Sequence, residues 1–168
     1  VKYTIKFCIR NNMKLIIPLK RDKKYSPKAH KIEHEFYKRN LKEEEFDYFQ
    51  KNFLEKERDN FSSYRAVFNS KVAVGVSSTL LKDKLGAGGK ILSCNLTGVN
   101  IFDFPINGIC TLNNCSYVEF EKRLLEIYLM SKENFFSKID KKQDYVMKST
   151  LDTASIIRNK LKDILEKK

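Results

Sequence analysis

Three consecutive hydroxyl residues, Ser77-Ser78-Thr79, follow the run Lys71-Val72-Ala73-Val74-Gly75-Val76. The run is rich in β-branched residues and reads as a strand. The hydroxyls supply N-cap candidates for a helix over Thr79–Leu85. A strand that ends in small hydroxyl side chains and turns directly into a helix leaves backbone amides free at the carboxyl edge of a parallel sheet. Those amides, the hydroxyls and the helix dipole all favour an anion there. Asp83 comes five residues after Ser78, just over one turn into the helix. From there it is placed to face the same crevice, where a carboxylate accepts hydrogen bonds from ribose or sugar hydroxyls. The same residues also make a plain N-cap and a solvated carboxylate, and spacing alone favours that simpler reading.

Other arrangements that carry chemistry fail on spacing. A phosphate loop needs Gly, four residues, then Gly-Lys and Ser or Thr. Before Gly89-Lys90 the first glycine's place holds Lys84, and Ile91 follows the lysine. The dinucleotide fingerprint fails as well, because Gly86-Ala87-Gly88 follows a helix rather than a strand. These glycines read instead as a helix cap and a tight turn, with Gly86 or Gly88 suited to the left-handed position. His30 and His34 are four apart but have no third ligand, and they read as solvated histidines in a basic loop. Cys110 and Cys115 lack a CxxC partner, so no zinc site is expected. Gly75-Val76-Ser77-Ser78-Thr79 lacks the second glycine of a nucleophile elbow.

The elements that must position these residues follow from periodicity. Val1–Asn12 is expected to be a helix stopped by Asn11-Asn12. Met13–Leu19 is a short apolar run of the kind found in buried strands, with Pro18 near its end. Residues 20–42 form a polar connection, partly helical around Lys31–Arg39. Glu43–Glu57 places Phe46, Phe49, Phe53 and Leu54 at helical spacing. A helical turn over Tyr64–Phe68 precedes the strand before Ser77. Lys90–Cys94 and Gly108–Leu112 are further strands, separated by a loop containing Thr97-Gly98 and Phe102-Asp103-Phe104-Pro105. Ser116 and Glu119 form a capping box that opens a helix through Met130. A last helix is expected over about Thr150–Leu165. The pattern is α/β: a Rossmann-like three-layer domain with a mostly parallel sheet of about four strands and C-terminal helices, occupying residues 1–168 as one domain.

Composition bounds the rest. The chain has 168 residues, 42% hydrophobic, and a formal net charge of +12. That excludes a disordered polyelectrolyte and leaves room for an ordinary core. No apolar run approaches the roughly 20 residues of a membrane-spanning helix. Four cysteines at irregular spacing point to reduced thiols and a cytoplasmic setting rather than a disulfide scaffold. The charge is uneven: residues 1–42 hold 13 Lys/Arg against 3 Asp/Glu. The cluster Lys20-Arg21-Asp22-Lys23-Lys24 would attract phosphates on a nucleotide, a nucleic acid or a lipid headgroup. A solvated lysine-rich surface explains most of these residues equally well. The chain begins with Val1, and a processed start or a piece of a longer protein both fit.

The segment Val72–Asn95 (VAVGVSSTLLKDKLGAGGKILSCN) resembles the C-terminal half of GT-B-fold glycosyltransferases, of the bacterial lipopolysaccharide and capsule biosynthesis type. Members share a strand, a Ser-Thr turn, a helix bearing an acidic residue, a Gly/Lys turn and a second strand. The likeness is carried by Ser78, Thr79, Leu80, Leu85, Gly89 and Lys90. It departs at Asp83, where the family has a longer Glu. The resemblance extends more weakly over about residues 13–130. It implies a half-domain that binds a nucleoside-diphosphate sugar through Ser77, Ser78, Thr79 and Asp83, with Lys20 and Arg21 near the donor phosphates. It also implies metal-independent transfer, a carbohydrate or lipid-linked acceptor held by a separate N-terminal half, and a cytoplasmic location, peripheral at the inner membrane face if it touches the membrane. Two other classes stand beside it. A basic nucleic-acid-binding module would use residues 1–42 but has no recognisable binding motif. A non-catalytic Rossmann-like interaction domain would have lost its site.

Overall fold

The computed structural model describes residues 1–54 and 61–140, together with Ser155, Arg158 and Asn159. Helix α1 (Lys2–Arg10) leads to strand β1 (Ile17–Pro18), then helices α2 (Pro27–Asn40) and α3 (Glu43–Asn52) and strand β2 (Phe53–Leu54). Helix α4 (Ser62–Asn69), β3 (Val72–Gly75), α5 (Thr79–Gly86) and β4 (Lys90–Asn95) follow. A 3-10 turn at Asn100–Phe102, β5 (Thr111–Asn113), α6 (Tyr117–Leu129) and α7 (Lys132–Ser137) complete the described elements.

The strands pair in parallel as two sheets, β3-β4-β5 and β1-β2. The protein is therefore α/β with parallel sheets, consistent with a Rossmann-like domain. Every residue of β4, the central strand, is buried. Burial along a whole strand requires cover on both faces of the sheet. The covering side chains belong to one cluster, including Phe7 of α1, Leu81 and Leu85 of α5, and Phe120, Leu124 and Ile127 of α6. A smaller cluster of Ile5, Ile17, Leu19 and Phe49 joins α1, β1 and α3.

Several elements differ from the sequence reading. The apolar run Met13–Leu19 yields only two strand residues, and these pair with β2 rather than with the larger sheet. The expected helix over Glu43–Glu57 ends at Asn52, because Phe53 and Leu54 extend to pair with Ile17 and Pro18. His30 is buried, and the His34 ring packs edge-on against Phe46, Phe49 and Phe53, so neither is a solvated loop histidine. The strand expected over Gly108–Leu112 starts at Thr111. Gly108 has φ +109° and instead forms an antiparallel bridge to Ile139. Helix α7 had no counterpart in the periodicity. It is short, and its start is set by the Ser131 hydroxyl accepting from the Asn134 amide. The last expected helix, Thr150–Leu165, lies outside the described residues apart from Ser155, Arg158 and Asn159, which are helical.

The glycine run closes α5. Gly88, at φ +77°, donates to the Leu85 carbonyl, and Gly89 donates to the Lys84 carbonyl. This is a Schellman termination, in which a residue free to adopt the left-handed region satisfies two orphan carbonyls. It also seats Lys84, whose stem would lie 2.6 Å from a β-carbon at Gly89. The Lys84 ammonium donates to the Val67 and Ser70 carbonyls and to Ser70 Oγ, which caps the C-terminus of α4.

Burial pushes the Lys84 ammonium down from 10.5 to about 8. Between those two values the unfolded chain binds more protons than the folded one, so stability rises with pH there. Relative to Lys84→Met, the unsubstituted protein is expected to gain thermal stability from pH 8 to pH 10. The gain should be several degrees, at about 2–4 °C per kcal/mol for a chain of this size. Parallel pH profiles for the two proteins would contradict the assignment.

Candidate functional site

The β3–α5 turn is built by a close approach at its start. A β-carbon at Gly75 would sit 3.2 Å from Leu81 Cδ1, so α5 folds back tightly over the end of the strand. Ser78 takes the N-cap position with extended backbone (φ −113°, ψ 138°), and its hydroxyl makes no cap bond. Its carbonyl accepts from the amides of Leu81 (3.1 Å) and Lys82 (3.3 Å), and its own amide donates to Val76 O (3.0 Å). No hydrogen bond among the described residues uses the amides of Thr79 or Leu80. Two donors therefore stand open at the positive end of an eight-residue helix, directly after the carboxyl end of a parallel strand. Ser77 and Thr79 are exposed and Ser78 is half-buried.

Asp83 lies one turn beyond Thr79, and residues four apart share a helix face. Its Oδ2 accepts the Tyr64 hydroxyl of α4 at 3.2 Å, and this bond to a carboxylate raises the Tyr64 phenol pKa. Tyr64 stands in an exposed row on α4, with ring centroids 6.4 Å from Phe61 and 6.1 Å from Phe68. Nothing local in the sequence marks Tyr64 as a site residue. Its signal was a tyrosine at the predicted helical turn before β3, which says nothing of a partner on α5.

The neighbouring strand ends are organised by one buried asparagine. Asn95, at the carboxyl end of β4, is 2% exposed. Its Nδ2 donates to Asp103 Oδ1 (2.7 Å) and Val99 O (3.1 Å), while its Oδ1 accepts from the amide and hydroxyl of Thr97. The Asn95 carbonyl accepts from Asn114, at the end of β5. Both loops at this edge are thus tied to one side chain and its backbone. The residues Thr97-Gly98 and Asp103 were visible in the sequence, but nothing local marks Asn95 as their common partner.

Lys20 and Arg21 are carried by the other sheet. They follow β1, in the two-stranded sheet, and their backbone amides donate to the two carboxylate oxygens of Glu33 in α2 at 3.0 and 2.9 Å. Strand pairing does not bring them to the β3–α5 turn as part of one sheet edge.

The remaining chemistry is quiet. Cys8, Cys94 and Cys110 are buried free thiols, and burial raises each of them, Cys94 to about 12 with help from its contact to Cys115. A thiol so far from ionisation is a poor nucleophile at neutral pH. No group of three or more His, Cys, Asp or Glu among the described residues is placed to hold a metal ion. No helix among the described residues is long and apolar enough to cross a membrane.

The protein is thus of the parallel α/β class, with an open helix N-terminus at the carboxyl edge of its three-stranded sheet, the edge where open α/β sheets in general hold their ligands. The family is shown by the sequence. Residues 1–105 match the family described as "putative O-antigen biosynthesis protein", and the chain belongs to it. The matched part contains Lys20, Arg21, Ser77, Ser78, Thr79 and Asp83. No curated protein and no solved structure matches the chain.

Proposed function

We propose that this chain is the donor-binding domain of a glycosyltransferase in surface-carbohydrate biosynthesis, holding a nucleoside-diphosphate sugar at the β3–α5 turn. The observation that carries the reading is the pair of unused amides at Thr79 and Leu80, next to three hydroxyls and at the positive end of α5. Family membership supports the carbohydrate context.

In this reading the diphosphate accepts hydrogen bonds from the Thr79 and Leu80 amides and from the hydroxyls of Ser77, Ser78 and Thr79. Asp83 accepts from a ribose or sugar hydroxyl, with Tyr64 holding the carboxylate in place. As the bond between the anomeric carbon and the diphosphate breaks, negative charge grows on the departing phosphate. Fixed amides and a helix dipole stabilise that charge without reorganising. The loops at the ends of β4 and β5, held by Asn95, bound the crevice. A second domain supplies the acceptor and the catalytic base.

Ser78→Ala combined with Thr79→Val removes two hydroxyls while leaving backbone and volume nearly unchanged. Binding of a nucleoside diphosphate, followed by calorimetry, is expected to weaken at least tenfold, since each hydrogen bond to a charged group is worth roughly 1.5–3 kcal/mol. Unchanged binding in the double variant would remove these side chains from the site.

A further inference from the structure

The opposite edge of the same sheet carries a second concentration of positive charge. A cleft of about 400 Å³ opens between the Ala87–Gly89 turn and the Met130–Lys132 turn, and Lys71, Lys84, Lys90 and Lys132 all line it. Lys71 and Lys90 stand at the amino-terminal ends of β3 and β4, about 13 Å of strand from the β3–α5 turn. No Asp or Glu is among the described residues that line the cleft.

The four lysines divide by role. Lys84 and Lys90 are 3% and 5% exposed, and both are fixed by helix ends. Lys90 Nζ donates to the carbonyls of Ile127 (2.6 Å), Tyr128 (3.2 Å) and Met130 (2.7 Å), capping α6 as Lys84 caps α4. All three protons of each ammonium are thereby used, yet each whole charge remains. Carbonyl dipoles solvate a cation without neutralising it. Lys71 and Lys132 are exposed, with Lys71 Nζ 3.8 Å above the Tyr128 ring, and their ammonium groups are the ones able to reach a ligand. Burial chiefly disfavours the charged forms of Lys84 and Lys90, and the neighbouring positive charges add to it: Lys132 at Lys84, and Lys71 and Lys132 at Lys90.

We propose that this cleft is a phosphate-binding site, in which Lys71 and Lys132 contact the anion directly and the buried charges of Lys84 and Lys90 supply a fixed positive field. Four like charges converging on a concave surface of this size favour a multiply charged oxyanion, and amphipathic lysine stems leave room for one beside the turn. The site is independent of the donor crevice and uses none of its residues. The phosphate group can arrive as a free diphosphate or on a lipid headgroup.

Amide spectra of the ¹⁵N-labelled protein, titrated with inorganic pyrophosphate, read this site separately from the other edge. Shifts are expected at Gly88, Gly89 and Ser131. Lys71→Gln with Lys132→Gln should raise the half-saturating concentration for those shifts at least tenfold, while Lys71→Arg with Lys132→Arg stays within threefold. Ser78→Ala with Thr79→Val should leave them within twofold, so this proposal and the donor site fail separately. A parallel arm measures co-sedimentation with phosphatidylglycerol vesicles. Pyrophosphate shifts alone identify a free phosphate, and vesicle binding lost in the glutamine variant identifies a headgroup. Shifts at these amides that persist unchanged in the glutamine variant, or no response to either probe, would overturn the site.

Discussion

Alanine at position 108 is expected to destabilise the protein by about 4 kcal/mol, the sum of a strained backbone and a forced steric displacement. Gly108 has φ +109°, a region that side-chain-bearing residues rarely adopt. A β-carbon there would meet the Lys138 carbonyl oxygen (its contact is the tightest at any glycine) and would stand 3.0 Å from Ile139 Cα. Neither neighbour is a flexible side chain, so relief requires the backbone itself to move. That backbone is held on both sides. Ile109 donates to Lys138 O and Asp140 donates to Asn107 O, while Arg123 reaches the carbonyls of Gly108, Ile109 and Thr111. The bridge docks the end of α7 against the approach to β5, where Phe135 and Ile139 enter the main core. Chemical denaturation should show the loss as a lower midpoint with an unchanged slope. Gly88→Ala is the comparison: it shares the positive φ but meets nothing within 4 Å, and should cost only about 1–2 kcal/mol.

Proline at position 79 is expected to weaken nucleoside-diphosphate binding about 10- to 100-fold while leaving the fold intact. Thr79 is the first residue of α5, where a helix tolerates proline because the N–H has no intrahelical partner. The preceding residue must be extended, and Ser78 already is, at φ −113° and ψ 138°. The substitution therefore deletes one open amide and one hydroxyl without disturbing the helix that presents them. The amide's charge-assisted bond to phosphate alone is worth roughly 1.5–3 kcal/mol, which sets this range before any contribution from the hydroxyl. Calorimetric titration measures the affinity, and a melting temperature within a degree or two of the parent confirms that the helix survives. Full affinity in a folded Thr79→Pro protein would show that this amide holds no ligand.

How much of this was legible in the residues follows from how local each signal is. The β3–turn–α5–β4 unit was read almost to its ends, because β-branched residues, hydroxyl caps and a glycine stop lie within one short stretch. The capping box of Ser116 and Glu119 was equally local and is present with both bonds. Met13–Leu19 misled because apolar composition does not determine which strand a segment pairs with. Ile17 found Phe53, 36 residues along the chain, and that pairing also ended α3 early. His30 and His34 looked polar in a basic run, yet the His34 ring packs on aromatic residues of α3 and β2 that only the tertiary arrangement brings near, and His30 is buried with its ring against His34. The candidate site divides in the same way. The turn that presents the Thr79 and Leu80 amides was readable from Ser77-Ser78-Thr79. Tyr64 on Asp83 and Asn95 on Asp103 are contacts across elements or loops and had no local mark. The lysine cleft was hidden differently: Lys84 and Lys90 sat inside a failed phosphate-loop pattern, and their meaning came from the helix ends they cap.

The proposed function requires that the open amides of α5 hold a diphosphate. Its most direct test is a titration of the ¹⁵N-labelled protein with uridine, guanosine and cytidine diphosphate sugars, following backbone amide shifts. Saturable shifts are expected for at least one of the three, largest at Thr79 and Leu80 with smaller ones at Ser77 and Ser78. Shifts confined to other parts of the chain, or none at Thr79 and Leu80 with any of them, would contradict it.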